Sequence, residues 1–372
     1  MKYYLIAGEA SGDLHGSNLM KALKAEDPQA EFRIWGGDLM QAAGGELRKH
    51  YRDLAFMGFV EVLKNLRTIL RNLRFCQEDI LAYQPDALIL IDYPGFNLRM
   101  AKWAKHLGIK VLYYISPQIW AWHTSRVHQI KTNVDRMYVI LPFEKEFYAK
   151  YDCAVDFVGH PLLDVVKGYT AAPGFRSKNG LDERPIIALL PGSRKQEISR
   201  MLSVMLEMAP LFPAHQFVIA GAPSMPAAFY EVILAEKNRP ENVRLVQKQT
   251  YDLLSQAEAA LVTSGTATLE TALFQVPEVV CYRGGNISYQ IAKRLVSVKY
   301  ISLVNLILDK PLVTELIQNN FNSKALHAEL EKLFSPDIRS EISTGFAELQ
   351  TLMGDAGASR RAARLMIEKI SN

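Results

Sequence analysis

The stretch YYLIAGEASGD, Tyr3–Asp13, decides the fold. Tyr3–Ala7 is an apolar run of strand length, it breaks into a glycine-rich polar loop, and a helical pattern follows through Ser17–Lys24. The same order recurs downstream. Phe32–Trp35 reads as a second strand, Phe59–Arg74 as a periodic helix, and Ala87–Ile91 as a buried strand. Helix Phe96–Leu107, strand Lys110–Ile115, helix Val127–Thr132 and strand Arg136–Leu141 continue it. This alternation is the signature of an α/β, doubly wound and mostly parallel sheet.

The pattern restarts near Pro185. Strand Ile186–Leu190 leads into the loop PGSR and a helix over Glu197–Leu211. Strands at Gln216–Ala220, Val243–Val246, Ala259–Val262 and Glu278–Cys281 alternate with helices at Ala227–Lys237, Tyr251–Ser255 and Thr266–Phe274. Gly168–Asp182, with Gly, Pro, Ser and Asn, reads as the linker. The expectation is two Rossmann-like domains, 1–168 and 183–355, facing each other across a cleft.

The bulk numbers fit that reading. At 372 residues, two domains are the prior. Hydrophobic residues are 49% and charged residues 22%, an ordinary globular mix. Lys plus Arg is 43 against 39 Asp plus Glu, and the resulting +4 is too small for a nucleic-acid coat. Cys76, Cys153 and Cys281 lie far apart with no C-x-x-C pair, which points to free thiols in a reducing compartment rather than a zinc ribbon. The first apolar run is too short for a signal peptide, and no stretch approaches the ~20 residues of a membrane span. A cytoplasmic protein, at most peripheral to a membrane, is expected.

Candidate site residues gather at strand ends. In GEASGD, Gly8 and Gly12 allow close backbone approach, while Glu9 and Asp13 suit a hydroxyl-rich substrate or proton transfer. The plain alternative is a turn with Asp13 as helix cap. No dinucleotide or Walker glycine pattern is present. Asp92 ends the apolar run ALILI and opens DYPGFN. There a partly desolvated carboxylate can act as general base, or cap the next helix. SPQIWAWHTSRVHQI carries Trp120, Trp122, Arg126 and His128, and suits a sugar face or an acyl-bearing ligand, or core packing. His160, in Gly159-His160-Pro161, is a second strand-end candidate.

In the second half, Gly192, Ser193 and Arg194 form a Gly-Ser loop before a helix, with a guanidinium fork, which suits a diphosphate. Ser264, Gly265 and Thr266 begin a helix in the same manner, and Glu270 within it is placed for ribose hydroxyls. In Phe59–Arg74 the residues Phe59, Val62, Leu63, Leu66, Ile69, Leu70 and Leu73 share an arc of roughly 120°. Lys64, Arg67, Arg71 and Arg74 flank it. Such a helix packs on a sheet or lies on an anionic membrane.

These motifs together resemble the lipid-A-disaccharide synthases, inverting glycosyltransferases of the GT-B fold. The resemblance covers essentially the whole chain: GEASGD (Gly8–Asp13), MGFVEVL (Met57–Leu63), DYPGFN (Asp92–Asn97), SPQIWAW (Ser116–Trp122), LPFEKEFY (Leu141–Tyr148), GHPLLD (Gly159–Asp164), LPGSR (Leu190–Arg194), TSGTATLE (Thr263–Glu270) and ISLVNL (Ile301–Leu306). It implies transfer of 2,3-diacylglucosamine from UDP-2,3-diacylglucosamine to the 6-hydroxyl of 2,3-diacylglucosamine 1-phosphate. The products are the β-1',6-linked disaccharide 1-phosphate and UDP. It implies chemistry without a metal or other cofactor, at the inner face of the cytoplasmic membrane; peripheral contact with that anionic surface is expected through the basic amphipathic helix Phe59–Arg74. It leaves a homodimer open.

For that reaction Asp92 is the expected base, with Glu9 and Asp13 as a supporting or alternative pair. Ser193, Arg194 and the Ser264–Thr266 helix start hold the diphosphate, and Glu270 the ribose. The resemblance also puts Asn305, Glu315 and Gln318 near the nucleotide, and a final helix near Ala358–Ile370 back on the first domain, within 356–372. Two residues depart from the family pattern: Gly95 where many members have Asp, and Val304 where many have Pro. The rival readings are a UDP-sugar epimerase of the same fold and a non-catalytic, membrane-associated nucleotide-binding protein.

Overall fold

The computed structural model describes residues 1–54, 66–285 and 298–371. The chain forms two compact units, Met1–Asp164 with Met353–Asn372, and Val165–Leu352. The first holds β1 (Lys2–Ala7), β2 (Glu31–Gly36), β3 (Glu46–His50), β4 (Ala87–Ile91), β5 (Lys110–Tyr114), β6 (Arg136–Val139) and β7 (Val155–Phe157). They lie in the order β3-β2-β1-β4-β5-β6-β7, every pairing parallel. The second holds β8 (Ile186–Leu190), β9 (Gln216–Gly221), β10 (Val243–Gln247), β11 (Ala257–Thr263), β12 (Glu278–Tyr282) and β13 (Thr314–Ile317), in the order β10-β9-β8-β11-β12-β13, again parallel.

The order follows from the sequence. β4 and β8 are apolar along their whole length and buried at every position, as strands covered on both faces must be. Parallel neighbours need helical crossovers, and the crossovers switch direction once in each sheet. In the first unit the switch lies between β1 and β4, in the second between β8 and β11. Ligands of open α/β sheets bind beyond the strand ends at such points. GEASGD follows β1 and DYPGFN follows β4; PGSR follows β8 and TSGT follows β11.

Three expectations change. The segment expected as a linker contains a helix, Phe175–Lys178, whose Phe175 is buried in the second unit's core. Arg176 bonds Gln256 and the carbonyls of Asp182 and Arg184, so this stretch is part of that unit. β3 and β13 escape the sequence reading because both are short and carry polar residues at a sheet edge. Of the basic helix, Phe59–Leu63 and Lys64 lie outside the described residues. The described helix spans Leu66–Tyr83 and packs Leu73, Cys76 and Ile80 into the core. Leu70, expected on the same stripe, faces outward at 55% exposure.

The final helix, Ala358–Ser371, packs on the Ala10–Glu26 helix and β5. Its start is tied to the first unit by Asp164, whose carboxylate accepts from the amides of Gly357 and Ser359. The His160 amide donates to the Met353 carbonyl at 3.2 Å. His160 Nδ1 accepts from the Leu162 amide at 3.2 Å. His160 is therefore a buried turn-former.

His15 and His160 are buried neutral imidazoles. Burial pushes His15 down to about 4. Burial, then the His15 charge, pushes His160 down to about 3. Both values lie below the unfolded value near 6.5, so the unfolded chain binds more protons in acid. The stability these two histidines confer is complete above about pH 6.5 and falls as pH drops toward 4, by about 1.4 kcal/mol per unit for each. Buried Asp92 and Glu144, pushed up to about 7 and about 8, titrate with the opposite sign, so the loss is read as a difference. Between pH 7.5 and 5.5, urea unfolding of wild type should lose about 1.4 kcal/mol relative to His15→Gln, and an equal change in both proteins would remove His15 from the account.

Candidate active site

Asp92 sits on a strained elbow. It and Tyr93 follow β4 with φ of +45° and +50°, two successive left-handed residues, neither of them glycine. Such positions cost of order 1–3 kcal/mol each and persist only where the surroundings hold them. Here the buried Asn97 side-chain amide donates to the carbonyls of Asp92 at 2.7 Å, Ile91 at 3.2 Å and Ile6 at 3.4 Å. The Tyr113 hydroxyl donates to the Asp92 carbonyl at 2.5 Å. On the other side the Tyr93 ring lies against Gly8, where any side chain would collide with it. The Pro94–His106 helix takes Tyr93 as its N-cap, without a side-chain cap, so neither Asp92 nor Asn97 serves as one. Asn97 and Tyr113 carry no sequence signal beyond a polar atom near a strand end.

The elbow presents a half-buried carboxyl at the switch point. Burial first, then the Glu9 charge, pushes Asp92 up to about 7, against the Tyr93 amide that favours its ionised form. Glu9 precedes the Ala10–Glu26 helix as its N-cap residue and does not cap it with its side chain. The structure thus brings Glu9 and Asp92 together.

It does not bring Asp13 with them. The Asp13 carboxylate is buried, at 3% exposure, and accepts from the amides of Gly37 at 2.8 Å, Met40 at 3.0 Å and Leu39 at 3.1 Å. It caps the Asp38–Ala42 helix, an element its own sequence neighbourhood does not reveal. Both oxygens are occupied, so Asp13 holds the loop after β2 and is withdrawn as an alternative base. Gly95 is exposed with open space beside it, and no second acid stands there.

In the second unit, Leu190 and Val262 pair across the switch point, which sets the PGSR and TSGT loops side by side. Gly192 has φ +107° and leaves the room that the Glu197 side chain fills. Glu197 accepts from the Ser193 amide at 3.1 Å, so that expected phosphate donor is already engaged. Arg194 is exposed and makes no ion pair among the described residues. The Thr266–Leu273 helix has Gly265 as N-cap, no side-chain cap, and open space beside Gly265. This is the arrangement that leaves first-turn amides for an anion. Ser264 is a support: its hydroxyl donates to the Ile301 carbonyl at 2.8 Å. Glu270 accepts from the Tyr251 hydroxyl at 2.8 Å, and burial raises its carboxyl above the ordinary range.

Asn305 and Glu315 act through the backbone. Glu315 accepts from the amides of Ile301 and Ser302, the Ser302 hydroxyl and the Asn305 side chain, at 2.8–3.0 Å. Asn305 also exchanges hydrogen bonds with Val313 at 2.8 and 3.0 Å. All their polar groups are engaged, so the expected direct contact with nucleotide is replaced by a brace under the segment that Ser264 grips. Val304 takes the first turn of the Leu303–Leu308 helix, where a proline would also fit. Gln318 differs: just after β13, its buried Nε2 has no partner among the described residues. Thr263 Oγ1, at the end of β11, is likewise buried without one. Such atoms mark where a ligand or water completes the bonding.

A family model described as Lipid-A-disaccharide synthetase matches residues 3–365. A relative from Syntrophus aciditrophicus, named Lipid-A-disaccharide synthase, is 42% identical over 98% of this chain and 97% of its own. The chain belongs to the lipid-A-disaccharide synthase family. A member from Pseudomonas putida is 40% identical over 98% of each chain. Among solved structures, UDP-GlcNAc 2-epimerase from Neisseria meningitidis bound to UDP-GlcNAc superposes with a TM-score of 0.71 at 13% identity, covering 99% of this chain and 100% of that one. The glycotransferase of kitacinnamycin gives 0.64 at 15% identity, covering 99% and 98%. These distant likenesses show the shared two-domain α/β fold and nothing of the reaction. The epimerase reading therefore gains no support from them, while the close relatives are synthases.

Two carboxylates expected to share a role should behave oppositely. Asp13→Ala leaves three amides without an acceptor and should lower unfolding stability by about 2–4 kcal/mol. Asp92→Asn removes a charge held beside Glu9 and should leave stability at pH 8 unchanged or raise it. Denaturant titrations of both variants check this; a stable Asp13→Ala protein would return Asp13 to the chemistry.

Proposed function

We propose that this chain transfers 2,3-diacylglucosamine from UDP to the 6-hydroxyl of 2,3-diacylglucosamine 1-phosphate, giving the β-1',6-linked disaccharide 1-phosphate and UDP. The observation that carries the mechanism is the Asp92 elbow with Glu9 beside it. The relatives' names, lipid-A-disaccharide synthase, support a disaccharide-forming reaction, and the strand-end chemistry is consistent with it.

The acceptor is assigned to the first unit. Asp92 takes the proton from its O6 as the O6–C1' bond forms on the face opposite the leaving group. The C1'–O bond to the diphosphate breaks, its electron pair departs with UDP, and the anomeric centre inverts. A carboxyl held near 7 suits a base working at neutral pH. The donor is assigned to the second unit. Arg194 and the uncapped Thr266–Leu273 amides offset charge on the departing diphosphate. Glu270, with one oxygen beyond its Tyr251 bond, takes ribose hydroxyls. Gln318 and Thr263 supply polar atoms nearby on the same sheet edge. Gly192, Ser193, Ser264 and Gly265 shape the two loops.

Asp92→Asn should lower turnover by two orders of magnitude or more while UDP affinity stays within a few-fold. Wild-type kcat/KM should rise about tenfold per pH unit below about 7 and level off above it, because the base works only when ionised. Near-normal turnover in the variant would move the role to Glu9. Arg194→Ala should weaken UDP binding by about 10- to 100-fold, read by calorimetry. Absence of disaccharide with both substrates present would overturn the assignment as a whole.

We also propose peripheral binding to the inner face of the cytoplasmic membrane through the outward face of the Leu66–Tyr83 helix. Arg67, Arg71 and Arg74 are exposed there beside Leu70 and Phe75, which are 55% and 38% exposed. Among the described residues no helix is long and apolar enough to cross a membrane. Basic residues with apolar neighbours suit an anionic lipid surface. Replacing the three arginines by serine should cut co-sedimentation with phosphatidylglycerol vesicles several-fold and leave neutral vesicles unaffected. Equal binding by the variant would assign the face to solvent alone.

A further inference from the structure

We propose that Arg126 recognises the anomeric phosphate of the acceptor, with the Trp122 indole as the platform for the sugar beside it. This rests on the transferase reading above and adds to it the residue that selects a phosphorylated acceptor.

Arg126 is half-buried as a residue. Among the described residues its guanidinium has no ion pair and no hydrogen bond; its neighbour is the Trp122 ring, 5.9 Å from centroid to guanidinium carbon. A guanidinium keeps its charge at any working pH, and one partly withdrawn from water calls for an anion. Apart from the Trp122 face, local structure does not account for it. Arg126 begins the Arg126–Asn133 helix, where the helix dipole disfavours a cation.

Its position relates it to the elbow. The buried Tyr113 phenol bonds the Asp92 carbonyl and lies within electrostatic reach of both the Asp92 carboxylate and the Arg126 guanidinium. Arg126 pairs with neither Asp92 nor Glu9. In the loops after β4 and β5, Asp92–Asn97 and Ile115–Arg126, it is the one permanently charged cation. An acceptor bearing a phosphate would otherwise face Glu9 and Asp92 with no counter-charge from these loops. In a hexopyranose the ring oxygen is flanked by C5, which bears the 6-hydroxymethyl group, and by the anomeric carbon. A sugar that offers its 6-hydroxyl to Asp92 therefore carries its anomeric phosphate on the same edge of the ring. Trp122, 44% exposed, offers the flat apolar surface on which a sugar ring stacks. The second unit already has Arg194 and an uncapped helix for the donor's diphosphate, which leaves Arg126 to the acceptor.

The test compares two acceptors, 2,3-diacylglucosamine 1-phosphate and the same sugar without phosphate, in steady-state kinetics with wild type, Arg126→Gln and Arg126→Lys. Wild type should prefer the phosphorylated acceptor. In Arg126→Gln the acceptor KM should rise about 10- to 100-fold, and the preference, read as the ratio of kcat/KM values, should collapse toward one. Arg126→Lys should recover part of it. A donor KM that rises while the acceptor KM holds would give Arg126 to the donor diphosphate and overturn the proposal. Equal losses on both acceptors would do the same by making Arg126 structural. If wild type forms no disaccharide from either acceptor, the transferase reading fails first. If wild type forms disaccharide equally from both, the reading stands and this proposal fails.

Discussion

A single buried side-chain amide joins the two strands on which the first unit turns. Asn97 donates to carbonyls at the ends of β1 and β4, and to Asp92 just beyond. A parallel sheet has no tight connection between neighbouring strands, so its switch point is a gap with crossovers leaving in opposite directions. Asn97 closes that gap from one side, Tyr113 supports it from the next strand, and the Tyr93 ring lies on Gly8 above it. Without these contacts the chain would relax from two left-handed residues, and the carboxyl of Asp92 would lose its direction.

The second unit solves the same geometric problem with different chemistry. Its switch point carries no strained acid. It carries a glycine with positive φ, an exposed arginine, and a helix whose first turn no side chain covers. The inverting transfer proposed above asks for both kinds of chemistry, a base for the incoming hydroxyl and a sink for the departing charge.

Much of this was legible in the sequence because strand ends announce themselves. An apolar run that stops at Asp92, or breaks into Pro191-Gly192-Ser193-Arg194, marks both the strand and the place where ligands gather. What stayed hidden was the partner of each polar group. Asp13 looks like a site acid because short-range pattern cannot show that backbone amides more than twenty residues away fill its oxygens. The resemblance puts Glu315 and Asn305 near the nucleotide, and it cannot show the backbone groups they hold either. Asn97 is the converse case, a residue whose importance lies in three carbonyls that only the folded chain brings together. The basic helix was legible in composition but not in orientation: Leu73 and Leu70 belong to one sequence stripe, and packing divides them between core and solvent.

The return of the Ala358–Ser371 helix to the Ala10–Glu26 helix sets an order on biosynthesis. The second unit, Val165–Leu352, has all of its residues before the final segment is made. The first has its seven strands earlier, yet lacks the helix that covers one of its faces until Ala358–Ser371 emerges from the ribosome. Of the two units, the one that carries Asp92 starts earlier in the chain and is completed later. Until then a nascent chain exposes the apolar side of its Ala10–Glu26 helix, and a chain stopped before Ala358 carries a complete second unit attached to an unfinished first one.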